Sequence, residues 1–262
     1  MLKDLANVIK TRWPEMLLVI GFMAIGMFLA DQLTAADPTA ITKAPITMSQ
    51  TTTLLYTMTA TVFFVFFLIL YLGFLATLSV NHDTPHDPTT LVRIGRLFFW
   101  RFIRFELFIV LYYFAVAMLI YSPMKFLFFR TTNVEDMPQW TFHLCRLATA
   151  AILAKPILLI PPIMICKNIM LLPAVKNLSD YRISDIKALP IIFITGILIT
   201  GTITSIQAEI EPKSMIFNIL TIAKVIISPT FILLTGMIGI WFITGNKFGT
   251  LPETPEQTEQ TP

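Results

Sequence analysis

Hydrophobic residues fall in long uninterrupted runs along this chain instead of alternating with polar residues at a short period. If histidine is counted as neutral, four runs carry no charge: 44–82, 107–124, 188–208 and 225–246. A run of roughly 18 apolar residues is long enough to cross a bilayer as a helix. The pattern therefore predicts an all-α fold, a polytopic bundle of membrane-spanning helices.

We predict six spans within a single transmembrane domain, residues 1–248, followed by a disordered cytoplasmic tail, 249–262. The tail is polar and proline-rich and lacks the apolar residues needed to form a core. The predicted spans cover 16–33, 54–80, 105–124, 142–173, 188–207 and 214–244. The first apolar run follows basic residues, as in a signal peptide. No small-residue cleavage site follows it closely, and five more spans come after it, so we expect it to be retained.

Composition excludes a soluble protein. The chain is 55% hydrophobic and only 13% charged, whereas a soluble domain carries about 25% charged residues. Its two cysteines, Cys145 and Cys166, lie in one apolar segment, and as a helix this would separate them by about 30 Å, too far for a disulfide. We expect both to be small apolar residues of the core.

Lysine and arginine are distributed unevenly between the two sides of the predicted topology. Eleven of these residues lie in segments on the same side of the membrane as the N-terminus, and four lie in the loops on the opposite side. The eleven are Lys3, Lys10, Arg12, Arg93, Arg96, Arg101, Arg104, Lys176, Arg182, Lys187 and Lys247; the four are Lys43, Lys125, Arg130 and Lys213. Because cytoplasmic segments retain the positive charge, both termini are predicted to be cytoplasmic, in a multi-pass protein of the cell inner (plasma) membrane.

A basic amphipathic segment precedes the third predicted span. On a helix its four arginines share one face and phenylalanines occupy much of the other, as in a helix lying in the headgroup layer. The arginines are Arg93, Arg96, Arg101 and Arg104. We predict an interfacial helix whose arginines anchor anionic lipid headgroups at the inner leaflet. A nucleic-acid arm is disfavoured because its apolar face would be exposed to water.

Prolines and a short polar motif mark the region after the fourth span. The stretch PPIMICKNIMLLPAV, 161–175, places Pro161 and Pro173 twelve residues apart, and in RISDIKAL, 182–189, Ser184 precedes Ala188 by four. With the order of elements, this resembles the YciC-like family of six-span bacterial inner-membrane proteins. That superfamily also includes the membrane domain of glycerophosphodiester phosphodiesterases. The resemblance implies an architecture, since the family's biochemical role is largely unassigned.

Candidate chemistry is sparse. His82 and His86 lie near aspartates in NHDTPHDP, at a spacing that could present two ligands to a metal on a helix. Pro85 and Pro88 favour a turn, so we interpret this stretch as a solvated loop. No hydrolase, metalloprotease or haem motif is present. We therefore predict no catalytic residue, metal or cofactor, and no enzymatic activity.

Bases inside the predicted spans are the remaining candidates, because no acidic residue lies well inside any of them. A charged base at mid-membrane costs about 2.5–3.5 kcal/mol on insertion scales and usually faces the bundle or a cavity. A polar path or anion contact, bonds to carbonyls freed by prolines, and snorkelling are open alternatives. The candidates for a polar path are Arg146, Lys155 and Lys167. We expect the fourth helix to be bent or tilted inside the bundle, with Lys155 facing other spans or a cavity.

Three functions fit these patterns. The first is a non-enzymatic integral membrane protein acting in envelope or lipid homeostasis, with membrane lipids as partners. The alternatives are a small permease for an anionic or lipid-like substrate and an accessory membrane subunit of a larger complex. The sequence does not decide between a membrane-protein partner and a homo-oligomer.

Overall fold

The structure, a computed structural model, describes residues 2–35, 48–80, 84–123, 139–182, 188–210, 214–245 and 248. Throughout these ranges the secondary structure is helical and no strand occurs, which confirms the all-α prediction. The helices are α1 (Leu2–Ala35), α2 (Met48–Val80), α3 (Pro88–Pro123), α4 (Gln139–Cys166), α5 (Leu171–Asn177), α6 (Ala188–Glu209) and α7 (Met215–Ile243). A 3-10 turn, Leu178–Asp180, follows α5. The predicted tail, 249–262, lies outside the described residues.

Four to five helices of the described chain are long and apolar enough to cross a membrane. They are α1, α2, α3 and α7, with α4 and α5 as a fifth if the bent pair forms one span. The apolar part of α6, Ile191–Thr204, is shorter. The bundle of membrane-length helices is therefore confirmed, whereas the count of six spans is not.

Helix α1 is kinked at Arg12, whose backbone angles (φ −114°, ψ 18°) are not helical. Pro14, two residues later, accounts for a kink in this turn, because its ring lacks an N–H and clashes with the carbonyl of Lys10 one turn earlier. The helical segment before the kink lies N-terminal to the predicted first span. It forms a short arm, in which Val8 is fully buried.

The hairpin of α2 and α3 is the tightest contact of the fold. Helix α3 begins after Asp87, whose carboxylate accepts hydrogen bonds from the hydroxyls of Thr89 and Thr90; these bonds lower the pKa of Asp87 to about 2. A methyl group added at Gly73 would lie 2.0 Å from the carbonyl oxygen of Leu91, and one at Gly95 would lie 1.9 Å from that of Ile69. The two backbones touch, and only glycine fits at these points.

Helix α3 runs without interruption for 36 residues. The basic segment is its first half, continuous with the predicted third span, and Leu91 and Gly95 of that half are buried against α2. A separate interfacial helix before the third span is therefore not confirmed. The position of the arginines in the headgroup layer stays a prediction.

The predicted fourth span, 142–173, does not continue as one helix. Helix α4 passes through Pro156, Pro161 and Pro162 but ends at Cys166, and the chain turns by 115° into α5. The turn is made at Asn168, which adopts a positive φ of 49°, a conformation that asparagine tolerates better than most residues. The predicted fourth span is therefore bent, at the break between α4 and α5.

The first residues of α1 and the last residues of α7 lie at the same end of the bundle. The indole nitrogen of Trp241, in α7, donates a hydrogen bond to the carboxylate of Asp4, in α1, at 3.2 Å. Helix α1 also packs along α2, and residues of all three helices form the main buried cluster, including Val19, Phe74 and Met237. A second cluster joins α3, α4, α5 and α7.

Candidate ligand-binding cavity

A cavity of about 400 Å³ lies among α2, α3, α4, α6 and α7. Most of its wall is apolar, and six aromatic rings contribute to it. These are Phe67, Tyr71, Phe102, Phe105, Phe193 and Phe231. The rings of Phe67 and Tyr71 stack with centroids 5.7 Å apart, and those of Phe102 and Phe105 lie 5.4 Å apart.

The cavity lies well inside the length of the candidate span α7. On α7 its walls reach from Ser228 to Thr235, which places it about 12–22 Å from the end of that helix at Ile243. A bilayer has a hydrocarbon core about 30 Å thick. A ligand in this cavity would therefore be surrounded by the spanning helices and lipid tails, and not by bulk water.

Two glycines shape the walls. A methyl group at Gly236 would lie 2.4 Å from the hydroxyl oxygen of Tyr71, so this glycine admits the tyrosine between α2 and α7. At Gly196, on α6, a methyl group would lie 3.0 Å from the ring of Phe231. Glycine at this position lets α6 approach the Phe231 ring closely.

The mouth of the cavity lies between α3, α6 and α7. Glu106, Ile197 and Ile232 all line the cavity and are also exposed at the protein surface. The mouth therefore opens at the outer surface of the bundle, between these three helices. An amphipathic molecule could enter it laterally.

Glu106 is the only charged residue among those that line the cavity in the described chain. The other polar groups there are hydroxyls, and two of them already donate to their own helices: Thr200 to the carbonyl of Gly196 and Thr235 to that of Phe231, both at 2.7 Å. The residues lining the described cavity include no lysine or arginine. The site is therefore apolar and weakly hydroxylated, with a single carboxylate.

Glu106 lies near the middle of α3 and lines the cavity. It is 18 residues after Pro88 and 17 before Pro123, about 25 Å or more from either end of α3. The sequence contains a signal for it, since Glu106 directly precedes the charge-free run 107–124. Sequence reasoning missed it because the third span was taken to begin at residue 105, which left Glu106 at an edge.

A second polar constellation lies at the end of the bundle where the chain begins. The guanidinium of Arg12 is fully buried and pairs with the carboxylate of Glu15. It also donates to the hydroxyl of Thr77, at 2.6 Å, and lies 4.8 Å from the centre of the Phe74 ring. The backbone N–H of His86 donates to Glu15. The constellation ties α1, α2 and the start of α3 together.

This placement changes the interpretation of two sequence features. Arg12 was counted with the solvated inner bases, yet it is buried; its spacing of three from Glu15 on one helix was the available signal. His86 lies 3.5 Å from the Arg12 guanidinium through Nδ1, while His82 lies outside the described residues. Within the described residues no three metal-ligating side chains come together.

The predicted headgroup anchors have different surroundings. Arg93 and Arg96 are exposed beside Trp100 on one face of α3, around a shallow groove. Arg104 is also exposed. Arg101 instead donates to the side-chain oxygen of Asn168 at 2.6 Å, which links α3 to the turn between α4 and α5. Arg93, Arg96 and Arg104 thus have the exposure that an anchoring role requires.

Of the three bases of the predicted polar path, the two with described side chains do not line the cavity. Lys155 is half-buried and Lys167 is exposed, and neither lines the cavity. They are twelve residues apart on or just after α4, about 18 Å along its axis, and Lys167 lies over the Tyr181 ring at 5.4 Å. The side chain of Arg146 lies outside the described residues. Anion contact by any one of them stays a prediction.

Comparison with protein-family models, curated proteins and solved structures gave no match for this chain. The resemblance to the YciC-like family therefore stays a prediction.

Proposed function

We propose that this chain is a non-enzymatic integral protein of the cell inner membrane that binds lipid-like molecules and acts in envelope or lipid homeostasis. The observation that carries the proposal is the apolar cavity among five helices, with its mouth at membrane depth. Ligand sites in proteins are typically concave, largely apolar spaces with a few convergent polar groups. This cavity has that composition.

Contacts with the lipid surface support the same proposal. Exposed Arg93 and Arg96 lie with Trp100 on one face of α3, and arginine near an anionic lipid surface contributes about 1 kcal/mol of binding each. We propose that this face contacts anionic headgroups of the inner leaflet, in a six-span topology with both termini cytoplasmic. The exposed apolar residues of α3 beyond Glu106, such as Leu111 and Leu119, suit a lipid-facing surface.

A small permease is the second candidate, and Glu106 favours it. Ionisable residues inside spanning helices are costly and commonly mark substrate or ion pathways. A cavity with a carboxylate near the middle of α3 would be the binding site of such a pathway. The carboxylate of Glu106 in this cavity disfavours the anionic substrates that the sequence suggested.

Blocking the cavity tests the proposed function. Gly196→Leu would add a bulky side chain at a residue that lines the cavity and packs on the Phe231 ring, so purified protein should retain about tenfold less of its tightly bound lipid-like ligand, a loss of about 1.4 kcal/mol in binding. The measurement is mass spectrometry of molecules that co-purify in a mild uncharged detergent. Gly201→Leu is the matched control, because Gly201 lies on the same helix, is exposed and has nothing within 4 Å. Equal ligand content in the two variants would contradict the proposal.

A further inference from the structure

We propose that the cavity selects a lipophilic organic cation, a protonated amine or quaternary centre with apolar substituents, whose charge lies against Glu106. The inference rests on the proposed function, since it names the chemical class of the ligand that the cavity takes. It is carried by the position of one carboxylate in an otherwise apolar, aromatic-lined space.

The charge of Glu106 has no counterion in the described part of the chain. No lysine or arginine lines the cavity, and no ion pair or hydrogen bond to the Glu106 carboxylate is found among the described residues. A carboxylate deep in a membrane protein is retained where it pairs or contacts a ligand or water-filled space. A bound cation would supply the missing partner.

The aromatic walls suit the same ligand. Organic cations bind over the faces of aromatic rings within about 6 Å of the ring centre, and groups of such rings recognise quaternary ammonium ligands. Phe102 and Phe105 lie within one turn of Glu106 on α3, and Tyr71 faces them from α2. Tyr71 is buried apart from 8% of its surface, its hydroxyl adjoins Gly236, and no hydrogen bond to that hydroxyl is found within the described ranges. The hydroxyl oxygen can therefore accept a bond from an ammonium group.

Charge and size together argue against other occupants. An anion would meet the Glu106 carboxylate without a base to offset the repulsion, and the phosphate of a phospholipid would meet the same problem. The volume of about 400 Å³ lies near the lower end of the range for small-molecule sites. A compact monocation with apolar groups fits both constraints.

Two ions of matched shape and opposite charge provide the test. Binding of tetraphenylphosphonium and of tetraphenylborate to the purified full chain, in an uncharged detergent, is measured by equilibrium dialysis. We expect saturable phosphonium binding at least about tenfold tighter than borate binding. Glu106→Gln should remove that preference, because it keeps the shape and removes the charge. Asp180→Asn, which removes an exposed carboxylate outside the cavity, should leave it unchanged.

The outcomes separate this inference from the proposed function. Equal affinity for the two ions in the wild-type chain, or an unchanged preference in Glu106→Gln, overturns the cation inference. If Gly196→Leu still lowers the content of co-purified ligand, the proposed function stands without it. Should Glu106→Gln aggregate, Thr200→Leu narrows the cavity without touching the carboxylate; unchanged phosphonium affinity in that variant equally overturns the inference.

Discussion

At the residue scale, the Arg12–Glu15 pair shows how the chain tolerates charge inside an apolar bundle. Both side chains are at least 96% buried, and each makes a further hydrogen bond, to Thr77 and from His86 respectively. A buried ion pair repays its desolvation only when such additional bonds satisfy the remaining donors and acceptors. The pair and its two further bonds link α1 to α2 and to the segment before α3.

Removing one partner of this pair should be costly. We expect Arg12→Leu or Glu15→Leu to lower the free energy of unfolding by about 3–5 kcal/mol, because either leaves an uncompensated buried charge. In the double variant, the free energy of unfolding should fall by less than the sum of the two single decreases. Thermal unfolding in detergent, followed by size-exclusion chromatography, measures all three.

The exposed base Lys10, on the same arm of α1, is the control for that series. Lys10→Leu removes one positive charge without leaving a buried partner, so it should change the midpoint of thermal unfolding little. Additive losses in the Arg12 and Glu15 variants would show that the pair is not energetically coupled.

At the element scale, the α2–α3 hairpin depends on two glycines more than on any large side chain. Each lies against a carbonyl oxygen of the other helix, and close backbone approach is a common means of helix association in membranes, where apolar burial offers no net gain between helices. The same contact sets the rotation of α3, and hence which of its residues face the cavity.

Substituting these glycines should force the helices apart. We expect Gly73→Ala and Gly95→Ala each to cost about 1–3 kcal/mol, the range found for overpacked sites. Both should also weaken ligand binding, because Phe102, Phe105 and Glu106 move with α3. Chemical or thermal unfolding in detergent measures the first effect, and dialysis the second.

Gly21, on α1, has nothing within 4 Å of an added methyl group. Gly21→Ala should therefore leave stability unchanged or raise it slightly, because alanine has the higher helix propensity. If it destabilised the chain as much as Gly73→Ala, the contact between the two backbones would not be the cause.

At the scale of the whole molecule, α1, the α2–α3 connection and the end of α7 meet at one end of the bundle. The Arg12 constellation and the Trp241–Asp4 bond both lie there. The eleven-to-four distribution of lysine and arginine predicts that this end is cytoplasmic.

Cysteine labelling tests that orientation. Cysteine introduced at Thr132, in a loop predicted to be outside, should react in intact cells with a membrane-impermeant maleimide, and cysteine at Thr258 should not. The unaltered chain is the control, since its own Cys145 and Cys166 are buried. The reverse labelling pattern would invert the topology.

Much of the helical architecture can be predicted from each apolar run of the sequence considered separately. Helix α2 contains the predicted second span, and α3 and α7 cover the third and sixth except for single residues at their ends, because hydropathy adds along a continuous segment and needs no knowledge of neighbours. The bend after Cys166 escaped prediction because three prolines upstream were stronger local signals than Asn168. Neighbouring helices shield a proline inside a bundle, so α4 continued through all three.

By itself, the sequence determined that the chain is helical and that several of its helices are long and apolar enough to cross a membrane, since both depend on local composition. The one-sided distribution of positive charge stays a prediction. The tertiary structure alone decided that Arg12 is buried against Thr77 and His86, 65 and 74 positions away, and that Glu106 lines a cavity which Lys155 does not reach. These outcomes depend on the rotation of each helix about its axis. That rotation is set by contacts between distant segments, such as Gly73 against Leu91. The sequence of a uniformly apolar span does not indicate which face of the helix will be buried.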